Sequence, residues 1–298
     1  MTTQALAAAA AAISSSSSDA FQRYYEEAGP DYAAWSPHFN MHFGYFRWGM
    51  NPLRREAMLE QMNREVADRL QLGTNSPRIL DMGCGLGTTL RSLARGFPSA
   101  HLDGITLVPW QLERGRILNQ SNDDFRRIVL SLGDYEHTSY PSGSFDAVYA
   151  IESSCYSNGA SKSGFLKEAR RLLRPGGRIV VADGFLGAGK LRGPQKAIYR
   201  MLCDCWALET MAHLEPFLEE LERQGFRDIV AERIQDRVAV SVLHVPWVTL
   251  KFLLGVVFFG RRRMTRARLN NVLAPLLMPF VGFPLGPMAY YLVSATRS

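Results

Sequence analysis

Residues 79–87 read Ile-Leu-Asp-Met-Gly-Cys-Gly-Leu-Gly, and Thr88, Thr89 and Leu90 follow. Arg78–Asp81 is a short strand-forming run, and Thr88–Gly96 has the spacing of a helix. Between them Gly83, Gly85 and Gly87 recur at every second position. Strand, glycine turn and helix in that order open a βαβ unit. Glycine is required where backbone turns tightly or approaches a ligand closely. The G-x-G-x-G spacing is tighter than the G-x-G-x-x-G that seats a pyrophosphate on a helix N-terminus. The acid Asp81 stands just before the glycines. A backbone cradle with one carboxylate suits a sulfonium cation with an amino-acid tail.

Outward from this loop the alternation continues. Strands are predicted at His101–Thr106, Arg126–Leu132, Phe145–Ile151, Arg178–Asp183, Phe226–Glu232 and Met288–Thr296. Helices are predicted at Pro109–Ser121, Ser163–Leu173 and Pro216–Gln224, with Phe21–Trp35 and Pro52–Leu72 ahead of the loop. The pattern predicts an α/β fold with a seven-stranded, mostly parallel sheet and helices on both faces. The chain divides into an Ala/Ser-rich tail over 1–18, expected to be disordered, a helical lid over 19–75 and a Rossmann-like core over 76–235. The core carries an insertion at 186–215. An apolar and basic cap insertion occupies 236–287, and a final core strand 288–298.

The 298 residues carry a net charge of +6, unevenly placed. Residues 251–298 hold Lys251, Arg261, Arg262, Arg263, Arg266, Arg268 and Arg297 and no acid. Beside the arginines lies the apolar run Trp247–Gly260, too short to span a bilayer. The longer run Val272–Val293 is interrupted by four prolines, which are expected to break it as a helix. No transmembrane helix is expected. Region 247–268 reads either as a peripheral membrane contact or as a buried cap helix with a solvated basic end. Cys84, Cys155, Cys203 and Cys205 lack zinc spacing, and no metal site is expected. With no secretory leader read at the N-terminus, a cytoplasmic location is expected.

The loop at 81–87 resembles motif I of class I S-adenosylmethionine (SAM) methyltransferases. Leu173-Arg174-Pro175-Gly176-Gly177 resembles the turn before their fifth strand. Phe145–Glu152 followed by Cys155, Gly104-Ile105-Thr106-Leu107 with Gln111, and His42-Phe43-Gly44-Tyr45 resemble the sterol C-24 methyltransferase and cyclopropane fatty acid synthase subgroup. The resemblance covers about residues 21–298 and implies SAM as cofactor. It implies donor contacts from Asp81, Gly83, Cys84, Gly85 and Gly87. Thr106 and Gln111 stand where many relatives hold the ribose with an acid, and Asp134 where the family places an acid against adenine. Tyr156 stands where the sterol enzymes have a His.

Methyl transfer requires alignment, exclusion of water and management of protons. If an alkene is methylated, aromatic faces stabilise the resulting cation and a base removes a proton. Tyr24, Tyr25, Trp35 and Tyr45 are candidate substrate walls, or core of the lid itself. Glu152, Tyr156 and His42 are candidate bases, with positioning roles as the alternative. The leading expectation is a C-methyltransferase of an apolar isoprenoid- or sterol-like acceptor. O- or N-methylation of a small aromatic metabolite, cyclopropane formation, and a SAM-binding membrane-peripheral protein without catalysis are the alternatives. A nucleic-acid acceptor is disfavoured, because the basic residues adjoin an apolar run and no Asn/Asp-Pro-Pro-aromatic motif occurs. The oligomeric state is not readable.

Overall fold

A computed structural model describes residues 16–73, 75–120, 122–260, 263–282 and 285–298. The sheet has eight strands: β1 Arg78–Met82, β2 His101–Thr106, β3 Ile128–Leu132, β4 Phe145–Ile151, β5 Leu173–Leu186, β6 Ala212–His213, β7 Phe226–Arg233 and β8 Met288–Arg297. The spatial order is β3-β2-β1-β4-β5-β8-β7, with β6 paired to the end of β5. Strands β1 to β5 pair in parallel, and β8 runs antiparallel between β5 and β7. The seven expected strands are all present. The eighth, β6, is two residues inside the expected insertion at 186–215. Such a stub carries no periodicity from which it could be read.

Successive residues of the central strands face opposite layers, so both faces are apolar. Ile79, Tyr149 and Val180 enter one cluster, and Leu80, Val148 and Val181 the other. The first layer comes from α3 (Arg55–Leu70), α4 (Thr88–Gly96) and α5 (Pro109–Gln120), the second from α6 (Ser163–Leu172) and α8 (Leu214–Arg223). Helix α3 corrects the expected lid over 19–75. Met58, Leu59, Met62, Val66 and Leu70 are buried, and the last three pack with Tyr149, Val180 and Leu292 of the sheet. Of the expected lid, α1 (Ser16–Ala28), α2 (Tyr32–Trp35) and the loop up to Arg54 remain outside these layers.

Other boundaries also shift. The expected tail at 1–18 lies outside the described residues up to 15, and Ser16–Ser18 form the first residues of α1. Helix α1 buries Tyr24, Tyr25 and Ala28 on one side, which gives the serine run a packed helix to lead into. The single helix expected over Phe21–Trp35 is interrupted by a 3₁₀ turn at Gly29–Asp31, where Pro30 lacks an N–H. Strand β5 starts at Leu173, and the Arg174–Gly177 turn is an irregularity within it, with Gly176 at φ 78°.

The cap is helical: α9 (Gln235–Val242), α10 (Val245–Phe259) and α11 (Arg266–Val281). Helix α11 runs through Pro275 and Pro279, against the expectation that prolines break this stretch. Packing against α7 (Pro194–Cys205), α1 and α10 supports the two missing N–H bonds. The run Gln235–Val256, 22 residues across α9 and α10, is long and apolar enough to cross a membrane by length and composition. The sequence reading missed it by starting the apolar segment at Trp247, beyond the turn at His244.

Candidate active site

The polar residues Asp81, Thr106, Glu152 and Asp183 all sit at or just beyond the carboxyl ends of parallel strands. In open α/β sheets that edge is where ligands bind. Because β8 is antiparallel, its first residues reach the same edge, with Tyr290 opposite Gly184. Two cavities meet there. One is lined by Asp81, Gly83, Cys84, Gly85, Thr106, Gln111 and Asp134. The other is lined largely by apolar and aromatic side chains, among them Tyr25, Trp35, Trp206, Phe252, Met278 and Tyr290. Tyr25, Met41, His42, Glu152 and Tyr156 line both.

The first cavity is shaped by the glycine loop. Gly83, Gly85 and Gly87 have φ of 106°, 51° and 77°, which only glycine adopts without strain. A Cβ on Gly83 would lie 2.4 Å from Ser153 Cβ. Gly83 N and Cys84 N donate to Ile105 O, and Ser153 Oγ donates to Met82 O at 2.6 Å, fixing the loop between β1, β2 and β4. Gly87 departs from its expected role: it is the N-cap of α4 packed toward Leu130, and it does not line the cavity. Its positive φ ends the loop where α4 begins. Thr106 Oγ1 donates to Gln111 Oε1 at 2.6 Å, so the two expected ribose contacts are joined. Asp134 Oδ1 accepts from Glu136 N, holding that carboxylate at the cavity wall. Burial pushes the Asp81 carboxyl up to about 7, and no Lys or Arg lines that cavity among the described residues.

At the junction, Glu152 adopts φ 48°, and its N donates to Ala182 O. Its Oε1 accepts from Phe43 N at 2.7 Å and from Tyr290 OH at 2.9 Å. Oε2 takes no such bond among the described residues. Removal from water, only partly offset by these two donors, pushes the carboxyl up to about 8. That range suits a group that exchanges protons near neutral pH.

The other two candidate bases are differently placed. Tyr156 shares a hydrogen bond with Tyr25, OH to OH at 3.0 Å, and burial pushes its phenol well above 10. It is a neutral hydrogen-bonding group at the junction. Both ring nitrogens of His42 are engaged, Nδ1 with Phe43 O at 2.9 Å and Nε2 with the Asn63 side chain at 3.0 Å. Burial lowers its pKa, so His42 stiffens the lid as a neutral imidazole.

Of the four expected substrate walls, Tyr25 and Trp35 line the apolar cavity. Tyr24 and Tyr45 do not. Tyr24 points to α11, where its hydroxyl donates to Asn271 Oδ1 at 2.9 Å. Tyr45 packs on the sheet-side core. Tyr24 belongs to the small cluster it forms with Tyr25, Ala28 and Val108, whereas Tyr45 belongs to the core of the sheet.

Several functional positions were not read from the sequence. Asp183 accepts from Ser154 Oγ at 2.6 Å and Cys155 N at 3.0 Å, holding the turn that carries Tyr156. Lys162 is fully buried, and its Nζ donates to Cys155 O, Ser157 O and Thr210 O. Asp183 had a sequence signal, an acid ending a strand as Asp81 does. Lys162 had none, because lysine is ordinarily exposed.

Comparison with known proteins gives the family of the chain. A family model described as a methyltransferase domain matches residues 79–177. Methyltransferase GfsG of Streptomyces halstedii is 30% identical over 217 residues, covering 70% of this chain and 74% of that protein. The 2-methyl-6-phytyl-1,4-hydroquinone methyltransferase of Synechocystis sp. is 30% identical over 217 residues, covering 70% and 64%. Cycloartenol-C-24-methyltransferase of Arabidopsis thaliana is 35% identical over 161 residues, covering 53% and 45%.

Proposed function

We propose a reaction for this chain from the premise that it belongs to the class I SAM-dependent methyltransferases: it C-methylates an apolar, isoprenoid- or sterol-like acceptor. One observation carries this reading. The cavity that meets the donor cavity is walled mostly by aromatic and aliphatic side chains; its carboxylates are Asp31, Glu152 and Asp183, and no Lys or Arg lines it among the described residues. Such a lining offers no Lys or Arg to a phosphate or a carboxylate, and it favours a hydrocarbon-rich acceptor. The relatives named for a phytyl hydroquinone and for cycloartenol support the same class.

The donor cavity fits SAM. The backbone at Gly83 and Gly85 allows close approach, Asp81 offers a carboxylate to a cationic ligand, and the Thr106–Gln111 pair offers polar groups to a ribose. Bound SAM supplies an electrophilic methyl group at the junction. An alkene acceptor would form the new C–CH3 bond with its π electron pair as the S–CH3 bond breaks and S-adenosylhomocysteine leaves, and its other alkene carbon would be left as a carbocation. Tyr25, Trp35, Trp206 and Tyr290 present aromatic surface to it, worth about 0.5–2 kcal/mol for each desolvated ring facing a cation. Glu152 Oε2 then accepts a proton from the carbon next to the cation. The C–H bond breaks, an O–H bond forms, and the released electron pair makes the new double bond. Asp183 and Lys162 act by holding the Ser154–Ser157 turn, and the lid excludes water.

Incubation with methyl-labelled SAM and a panel of prenyl lipids, prenylquinols, sterols and polar phenols tests the reading. Label on carbon of an apolar acceptor is expected. Label confined to phenol oxygens would overturn it in favour of O-methylation, for which Glu152 would serve as the phenol's base.

A further inference from the structure

Helices α10 and α11 have two faces with different uses. Val248 and Phe252 of α10 and Val272, Pro275 and Met278 of α11 line the acceptor cavity. The other face is apolar too, but open to solvent. Trp247 is 57% exposed, Leu254 46%, Phe258 73%, Leu273 38% and Phe280 52%. Residues 247, 254 and 258 recur at helical spacing on one side of α10, about 120° round the helix from 248 and 252. A large apolar face on a protein surface marks an interaction site.

The charge around this face says what covers it. From Arg237 to residue 298 the sequence contains no Asp or Glu. Lys251, Arg263 and Arg266 are exposed beside the apolar stripe, and Lys251 Nζ sits 4.8 Å from the Trp247 ring centroid. An apolar helix face with an aromatic ring and flanking cations matches a bilayer interface bearing anionic headgroups. Against such a surface the helical run Gln235–Val256 would lie along it rather than across it. Its first part is fastened to the domain: Val238 and Ser241 are buried, Gly44 N donates to Ser241 Oγ at 2.8 Å, and Phe46 N donates to Arg237 O. Spanning would strip these contacts.

We propose that the outer face of α10 and α11 docks on an anionic bilayer, and that the acceptor enters the cavity from the bilayer between these helices. The second half rests on the apolar-acceptor reading above; the first does not. A lipid acceptor would then move from one apolar phase into another without crossing water.

The test uses the full chain with vesicles of phosphatidylcholine alone and of phosphatidylcholine with phosphatidylglycerol, without any acceptor. Binding to the anionic vesicles is expected, weakening with salt. The double substitution Trp247→Ser/Phe258→Ser is expected to weaken it at least tenfold. Arg263→Glu/Arg266→Glu is expected to weaken it roughly fivefold or more for each arginine. SAM affinity, measured by calorimetry, is expected to be unchanged in both and reports that the fold is intact. If the wild-type chain binds SAM but does not bind anionic vesicles at low salt, the proposal is wrong. It is also overturned if the chain is a dimer in solution that the Trp247→Ser/Phe258→Ser pair dissociates, because the face is then an interface between copies. Vesicle binding with no turnover on any apolar acceptor would overturn the acceptor class and the loading route but not the docking.

Discussion

Tyr290 donates its hydroxyl to Glu152 Oε1 at 2.9 Å, joining the first part of β8 to the end of β4 across 138 residues of chain. The same tyrosine is 3.3 Å from Ala182 O, so it ties the candidate base to the middle of the sheet. The bond stabilises the charged carboxylate, against the burial that raises its pKa to about 8.

Glu152→Gln is therefore expected to lower turnover by roughly 10²–10⁴-fold with SAM affinity little changed. In the wild type, turnover should rise with pH and level off above about 8, as Glu152 becomes the carboxylate. Tyr290→Phe removes a donor to that carboxylate and should move the profile to higher pH. A pH–rate profile of the two variants, with SAM binding measured separately, checks this. Full turnover in Glu152→Gln would assign the residue to scaffold.

Asp81 makes donor binding pH-dependent. Its carboxyl titrates at about 7 when no cation lies beside it, and a cationic ligand favours the ionised form. Affinity for SAM should fall below pH 7, by up to about tenfold per unit. Stability moves the other way. The folded value lies above the ordinary 3.8, so the buried carboxyl costs stability that appears as pH rises from about 4 through 7. Asp81→Asn should thus raise the melting temperature of the ligand-free protein at pH 8 while weakening SAM binding. Thermal melts and calorimetry across pH 5.5–8.5 (roughly the span of the titration) test both signs.

Arg268 of α11 donates to both carboxylate oxygens of Asp31, in the turn that joins α1 to α2, at 2.6 and 3.0 Å. Both side chains are buried. Removing one partner of such a pair leaves a buried charge and typically costs about 3–5 kcal/mol. Arg268→Met alone should destabilise by that order, while Arg268→Met with Asp31→Leu should recover much of the loss. A urea melt of the single and double variants measures the coupling. Equal stability of wild type and single variant would show that the lid is not held there.

Gly83→Ala combines φ 106° with a Cβ at 2.4 Å from Ser153 Cβ. SAM affinity should drop by roughly tenfold or more, in line with a backbone strain of about 1–3 kcal/mol. Adding Ser153→Gly removes the clash but not the φ strain, so recovery should be partial. Titration calorimetry of both variants distinguishes the two contributions.

Much of the donor half of the site was legible, because local signals encode it. The glycine spacing at 83–87, Asp81 and the polar residues after Ile151 follow directly from strand ends in a parallel sheet. The acceptor half was less legible because its contacts are distant in sequence. Tyr290 reaches Glu152 only through the antiparallel register of β8 on β5, and Arg268 reaches Asp31 across 237 residues. Residue type misled in two places. His42 suggested a base, yet both nitrogens are committed to scaffold bonds. The prolines of α11 suggested a break, yet tertiary packing outweighs the lost N–H bonds.

Strand β7 joins the sheet only through β8, which lies between it and β5. On a ribosome, β7 and the cap helices therefore emerge before the strand they depend on. Until Met288–Arg297 follows, β5 has an open edge and the apolar cap lacks its full seat. The nascent chain would hold a nearly complete place for the methyl donor while the acceptor cavity still lacks Tyr290. That interval is one in which exposed apolar helices invite aggregation or chaperone capture. Early donor binding would stabilise the portion already made during that interval.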